Sequence, residues 1–304
     1  MNKILVTDSL FIKDKHVKML ESAGFEVERL DKAAATEAEL SEAIKGKAGY
    51  ILGGLEKVTD QVIQAADQLR AIAFTGTNYE EHIVALESVR ERGIKVANTP
   101  HANANAVAQW MFATSLAMVR RLFSLGRTGS LNAGVVNEFA DLTVGVVGLG
   151  HIGSSLADLF SHSGFQVVYH NRSAKQTNYT ATDLDTVLSN ADIVIFCVNG
   201  DTNQGFVDEK MLEKCKEGVI ISAVAPGIVD ELALLKLLQQ KKLRAFLDYS
   251  PVNSEFQKLD LDTFYNSNTK TSYNTNAANE RISDWATESM INLLQTGDDI
   301  RRVI

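Results

Sequence analysis

Apolar residues along this chain alternate between two spacings. Short runs at residues 4–7, 25–30, 49–52, 71–74 and 95–97 read as strands, and between them stretches such as 13–23 and 59–66 carry the three-to-four-residue spacing of helices. Strands alternating with helices predict a parallel sheet covered by helices. After Pro100 a long helical segment leads to Arg121, and a stretch containing Gly, Ser and Asn, 126–134, separates it from a second round of the alternation. Strands are expected there at 143–147, 166–169, 193–198, 219–222 and 245–248. The fold class that follows is α/β, with two doubly wound parallel-sheet domains. A last helix, about 279–294, has no strand after it and is expected to pack back on the first domain. A ligand of such a protein sits in the cleft between the domains, beyond the carboxyl ends of the strands.

Composition narrows the class of partner. A chain of 304 residues that is 45% apolar can build a core in each of two domains. A net charge of -8 without a basic cluster argues against nucleic acid and anionic membrane as partners. The most apolar helical segment, 107–119, is interrupted by Gln109, Thr114 and Ser115 and is shorter than the roughly 20 residues that span a bilayer, so it reads as a buried or subunit-interface helix. Cys197 and Cys215 are too few for a disulfide framework and neither belongs to a metal-ligand spacing, so no metal is expected. Cys197, on an apolar strand, reads as core. The first residues enter a strand pattern directly, without a signal-peptide pattern, and a soluble cytoplasmic protein is the expectation.

The most informative stretch runs from Thr143 to Gly153, TVGVVGLGHIG. Gly148 permits a tight turn, Gly150 leaves the backbone free to approach a pyrophosphate, and Gly153 lets a helix pack close to the strand. His151 and Ile152 open that helix, whose free amides and partial positive charge suit an anion. An ordinary strand-to-helix turn is the plainer reading of such glycines. Here an apolar strand precedes them, an amphipathic segment (Ile152, Leu156, Leu159, Phe160) follows, and a second strand comes next, so a dinucleotide site is expected.

Several further pieces, in this order, complete a pattern: Gly93 to Pro100 (GIKVANTP), Asn103 with Val107, Ala108 and Gln109, Ala191 to Val194 (ADIV), Gly227 to Glu231 (GIVDE) with Ala233 and Leu234, and Leu247 with Asp248. Over nearly its whole length the chain resembles the D-isomer-specific 2-hydroxyacid dehydrogenases, which include phosphoglycerate, formate, glycerate and D-lactate dehydrogenases. The resemblance implies a flavodoxin-like substrate domain built from residues 1–99 and 275–304, a Rossmann domain at 100–274, a cleft between them for a small-molecule substrate, and a homodimer formed through the Rossmann domain. It also implies that Asp248 lies near the nicotinamide amide, that Thr202 belongs to a loop approaching the cofactor phosphates, and that Asn103, Gly53 and Gly54 meet the substrate. Asn103 serves equally well as a helix cap before Ala104, and Gly53 and Gly54 as a turn after a strand.

An acidic residue about 20 positions beyond the glycines would hold the ribose hydroxyls of NAD. In this chain the second strand ends in His170, Asn171, Arg172 and Ser173. Asn171 removes the repulsion a carboxylate would exert on a 2'-phosphate, Arg172 offers a planar guanidinium to it, and Ser173 a donor, so NADP(H) is expected in preference to NAD(H). Arg172 as a solvated turn residue is the bland alternative.

The resemblance also says where the chemistry should lie. The family uses an Arg for the substrate carboxylate and carbonyl, a His as proton donor and a Glu that orients it. Register on Val229, Asp230 and Glu231 puts Ala225 in the place of the Arg. Asn253 stands in direct register with the Glu, with Glu255 two positions away, and the Thr-Pro-His turn reads Thr271, Ser272, Tyr273. No histidine follows His170. A phenol titrates near about 10 in water against about 6.5 for imidazole, so a tyrosine is a poor reversible acid at neutral pH unless a cation assists it. Tyr273 and His101 are the candidate proton carriers, each with a bland alternative: a packed aromatic and a surface-loop histidine. Three functions stay open: an NADPH-dependent reductase of a non-standard carbonyl or imine, a non-catalytic cofactor-sensing or partner-binding protein, and an ordinary 2-hydroxyacid dehydrogenase.

Overall fold

The computed structural model describes residues 2–7, 11–32, 34–53, 55–129, 136–200, 202–269 and 271–304. The chain divides into two compact units, Met1–Asn103 with Thr275–Ile304, and Ala104–Asn274. In the first unit the strands β1 (Lys3–Thr7), β2 (Glu26–Leu30), β3 (Lys47–Leu52), β4 (Ala71–Phe74) and β5 (Lys95–Ala97) form a parallel sheet in the order β2-β1-β3-β4-β5. β3 and β4 are buried along their whole length, as strands covered on both faces must be. The final helix, Asn276–Gln295, covers one face of this sheet with Ala286, Met290, Leu293 and Leu294, packed with Ile4, Val6, Ile51 and Ala73. Gly49 makes that approach possible, because a β-carbon there would stand 2.5 Å from the Met290 sulfur. The chain end pairs with the outer edge of β5, where the Val303 amide donates to the Val96 carbonyl at 2.7 Å, so that edge is covered.

The second unit holds seven parallel strands: β6 (Thr143–Val147), β7 (Gln166–His170), β8 (Thr180–Ala181), β9 (Ile193–Phe196), β10 (Ile220–Ala223), β11 (Arg244–Leu247) and β12 (Phe264–Asn266). Their order is β12-β11-β10-β9-β6-β7-β8. Strand succession reverses between β6 and β9, and the glycine loop follows β6 at that point, where open α/β sheets bind ligands. Helices Ala104–Val119 and His151–His162 bury Met111, Leu156 and Phe160 against one face.

Three sequence expectations need correction. The helical segment before Arg121 ends at Val119, and Arg121 takes a left-handed conformation at φ 53°. A second helix, Leu122–Thr128, then takes in Gly126, so the expected separator at 126–134 is partly helical; its residues 130–134 lie outside the described set. The strand expected at 193–198 stops at Phe196, because the chain turns there toward Gly148.

His16 couples the first helix, Asp14–Ser22, to the last one. Its ring is 1% exposed, its Nδ1 accepts from the Lys13 amide at 2.9 Å, and its Nε2 faces Asp284 at 3.0 Å. Burial holds its pKa below the ordinary value and Lys15 adds to this, outweighing the opposite pull of Asp284 and Glu280. The unfolded chain therefore binds a proton that the folded chain refuses, and stability falls as pH drops through about 6.5, by at most about 1.4 kcal/mol per pH unit from this group. Urea titrations between neutral and mildly acidic pH should show that slope in the wild type and lose part of it in His16→Gln. An equal slope in both would assign the acid sensitivity elsewhere.

Candidate nucleotide-binding site

The loop after β6 is shaped by what cannot stand there. Gly148 has φ 98°, and a β-carbon on it would lie 2.8 Å from the Cys197 carbonyl oxygen. A β-carbon on Gly153 would lie 2.0 Å from the Gly148 carbonyl oxygen, so the helix His151–His162 can meet the end of β6 only through glycine. Gly150, in contrast, is exposed and has nothing within 4 Å of a built β-carbon. Gly150 caps the 12-residue helix without a side-chain hydrogen bond, which leaves first-turn amides facing outward. His151 is exposed at the helix start and Ile152 is half-buried against the core. This geometry fits the diphosphate of a dinucleotide: donors and a positive helix end on one side, and open space over Gly150 on the other.

Asn171 is tied to the same loop. Its Oδ1 accepts from the Leu149 amide at 3.1 Å, and its Nδ2 donates to the Ser173 carbonyl at 2.8 Å and hydroxyl at 3.2 Å. The amide group thus closes the turn from 171 to 173 on itself. Arg172 and Ser173 are exposed beside it.

On the loop after β9, the Thr202 amide and hydroxyl both donate to Asn199 Oδ1, at 3.1 and 3.3 Å. The Gln204 side chain donates to the Gly200 carbonyl at 2.9 Å and lies over Gly227. Gly200 faces the methyl group of Ala225, which would stand 2.9 Å from a β-carbon at that glycine. Asn199, Gln204 and Gly200 were not singled out in the sequence, since a polar loop without a periodic pattern carries no signal of which side chains turn inward.

Asp248 is 4% exposed at the end of β11 and fully engaged by its own chain. Its Oδ1 accepts from the Ser267 hydroxyl at 2.8 Å and from the Thr271 amide at 3.1 Å and hydroxyl at 3.3 Å, and its Oδ2 accepts from the Ser272 amide at 3.0 Å. A buried carboxylate holding this many donors fixes the turn before Tyr273. Tyr273 is half-buried against the apolar cluster that contains Val107, Met111 and Phe246. Asn253 caps the short turn Ser254–Lys258 through the Glu255 amide at 2.9 Å, and Glu255 is paired with Lys258 at 2.5 Å. Cys197 packs against the apolar cluster as expected of a core thiol, and burial pushes that thiol above its usual range.

The remaining expected residues belong to the first unit. Gly53 is buried just after β3, Asn103 is half-buried, and His101 is an exposed turn residue at φ 63°. Gly54 lies outside the described residues. Among the described residues no three metal-ligand side chains are grouped together, and no helix is long and apolar enough to cross a membrane.

Residues 111–266 match the family described as D-isomer specific 2-hydroxyacid dehydrogenase, NAD binding domain. A Staphylococcus saprophyticus protein named for the 2-hydroxyacid dehydrogenases is 30% identical over 272 residues, covering 82% of this chain and 84% of its own length. A D-3-phosphoglycerate dehydrogenase of Archaeoglobus fulgidus is 27% identical over 255 residues, covering 80% of this chain; the aligned part spans 47% of that enzyme, about half its length. Among solved structures, the TT0316 protein from Thermus thermophilus superposes with a TM-score of 0.84 at 26% identity, over 99% of this chain and 100% of that one.

Two substitutions separate folding from binding at the glycine loop. Gly153→Ala should cost about 1–3 kcal/mol of stability, because the new methyl group collides with backbone and cannot be accommodated by rotation. Gly150→Val should leave the melting temperature unchanged and weaken nicotinamide-nucleotide binding about tenfold or more, read by fluorescence titration. Unchanged affinity in Gly150→Val would place the nucleotide away from this loop.

Proposed function

This chain belongs to the D-isomer-specific 2-hydroxyacid dehydrogenase family of NAD-dependent oxidoreductases acting on hydroxyl and keto groups, and we propose that it is an NADPH-dependent reductase of a carbonyl or imine substrate that does not rely on an arginine, a glutamate and a histidine. Two observations carry this reading together: a nucleotide cradle intact at Gly148, Gly150 and Gly153, and a sequence that reads Ala225, Asn253 and Tyr273 where the resemblance places the family's charged set. The bound nicotinamide supplies a hydride. The rest is left to the protein: orienting the acceptor, excluding water and, where the acceptor is a ketone, delivering one proton.

The cofactor preference rests on the turn from 171 to 173. Asn171 performs the loop-closing part of an acidic residue, accepting from the Leu149 amide, without a negative charge to repel a 2'-phosphate. Arg172, exposed next to it, supplies the planar cation that such a phosphate favours. For a carbonyl acceptor Tyr273 is the proton donor of this reading, carried on the turn that Asp248 holds. A ketone must gain a proton on oxygen as the hydride arrives, whereas a protonated imine already carries one on nitrogen. A site with a weak acid therefore suits a C=N substrate better than a keto acid. Asn103 and Gly53 are the substrate contacts that the resemblance implies, and a homodimer through the second unit belongs to the same reading.

One observation favours a second reading, cofactor binding without turnover: Gly200 is packed on the Ala225 methyl and Gln204 covers Gly227, which fills space beside the missing guanidinium.

Arg172→Ala should weaken NADPH binding about tenfold while changing NADH binding little, measured by fluorescence titration of each; equal losses would remove the basis for the preference. In assays of 2-keto acids and of imines formed from keto acids and amines, keto-acid reduction should stay below about 1 s⁻¹, and imine reduction should exceed it and fall in Tyr273→Phe less than any residual keto-acid reduction does. Keto-acid turnover above that rate would identify an ordinary dehydrogenase, and NADPH binding with no turnover on either panel would establish the second reading.

A further inference from the structure

At the opposite edge of the second sheet from the glycine loop lies a cleft of about 190 Å³. It opens below the amino ends of β6, β9, β10 and β11, where Leu142, Asp192, Gly218 and Arg244 stand. Two guanidinium groups line it, those of Arg121 and Arg244. Arg244 is anchored by its own chain, donating from Nε to the Asp262 carbonyl at 2.7 Å and from Nη2 to the Met118 carbonyl at 2.5 Å. Both partners are neutral. Arg121 has a buried Nε that finds no acceptor among the described residues. Neither guanidinium is in an ion pair with a carboxylate among the described residues.

The acidic residues of the cleft do not fill that role. Asp192 accepts from the Thr143 amide at 2.9 Å and is paired with Lys216 at 2.6 Å, and Glu217 is exposed at the rim. Burial, and next the charge of Arg121, hold the Arg244 guanidinium below its ordinary pKa, with Asp262 and Asp260 offsetting part of this. Arginine does not escape such a site by losing its proton. Two like charges are therefore kept close together in a partly desolvated place. The backbone adds a second cost, since Arg121 sits at φ 53° and ψ 35°, a conformation that favours glycine. Strain and like-charge repulsion retained at one spot mark a place built for something other than stability.

We propose that this cleft is a second binding site, distinct from the nucleotide cradle, for a small oxyanion held between Arg121 and Arg244. Each guanidinium presents a planar fork that matches two oxygens of a phosphate or carboxylate group. The volume corresponds to about six waters' share of the liquid, enough for a tetrahedral oxyanion or a short dicarboxylate. Binding removes the repulsion between the two cations, satisfies the orphan Nε–H, and fixes the corner at which the helix Ala104–Val119 gives way to Leu122–Thr128. The inference is independent of the substrate and of the cofactor preference.

Thermal melting of the full chain tests it, with inorganic phosphate or succinate compared against sodium chloride at matched ionic strength. Either oxyanion at about ten times its dissociation constant should raise the melting temperature by about 2–4 °C. A response to phosphate alone assigns a phosphate-bearing ligand, and a response to succinate alone a carboxylate. Arg121→Gly relieves the left-handed strain, so the free protein should melt no lower than wild type while the oxyanion shift disappears. Arg121→Lys should keep the fold and retain only part of the shift. Gly150→Val, with its altered nucleotide cradle, should keep all of it. The proposal is overturned if neither anion acts beyond its ionic strength, if the shift survives in Arg121→Gly, or if it vanishes in Gly150→Val.

Discussion

The second unit depends on backbone approaching where no β-carbon fits. A side chain at Gly145 would meet a Val187 methyl group at 2.4 Å, one at Gly148 the Cys197 carbonyl at 2.8 Å, and one at Gly153 the Gly148 carbonyl at 2.0 Å. Along β6 and the start of the next helix these three contacts set how closely the layers stack. The helix Leu184–Asn190 rests on the strand through Gly145, and the helix His151–His162 meets the strand end through Gly153. The free amides of the latter helix are thereby brought to the carboxyl edge of the sheet, at its switch point, where Gly150 and His151 are exposed. Gly145, Gly148 and Gly153 thus serve the packing of the unit, whereas at Gly150 an added β-carbon would meet no protein atom within 4 Å.

A buried carboxylate organises the other side of that edge. Asp248 gathers donors from Ser267, Thr271 and Ser272, residues about twenty positions later in the chain, and so fastens the end of the second unit back onto the sheet. Desolvating a carboxylate is tolerable only when most of its lone pairs are occupied, and here four hydrogen bonds do that. Tyr273 inherits its position from this arrangement. The resemblance points to Asp248 as a cofactor contact; its geometry adds a task inside the protein.

Much of this was legible in the sequence because burial on both faces leaves continuous apolar runs. β3, β4, β6, β9, β10 and β11 are such strands, and the glycine spacing after β6 marked the tight strand-to-helix loop found there. Two short strands were not legible. Thr180 and Ala181 form β8 with both residues exposed, and β12 has only Phe264, Tyr265 and Asn266, so neither carries a period. The break after Val119 left no trace either, since Arg120, Arg121, Leu122 and Phe123 include no glycine or proline. At the site, residue types were readable and their partners were not. Asn171 in place of an acid could be seen, while its bond to the Leu149 amide depends on two loops meeting. Asn253 read as a missing glutamate, and the structure gives it work as the cap of a turn.

On the proposed reading, Ala225, Asn253 and Tyr273 stand where the family carries its arginine, glutamate and histidine, and the three replacements share one electrostatic sense. An arginine that binds a keto acid does so by opposing a negative charge, and its neighbouring carboxylate and imidazole are balanced against that cation. Had Ala225 alone replaced its partner, a glutamate and a histidine would remain with their balance lost. With Ala225, Asn253 and Tyr273 together the set is uncharged. A substrate that brings its own positive charge, such as a protonated imine, would be opposed by an arginine at that place by about 4 kcal/mol for charges about 4 Å apart at an effective dielectric constant near 20. Removing the guanidinium lifts that repulsion. Removing the histidine then costs little, because the nitrogen arrives already protonated. On that reading, losses that would each impair a keto-acid reductase are mutually consistent for a cationic acceptor.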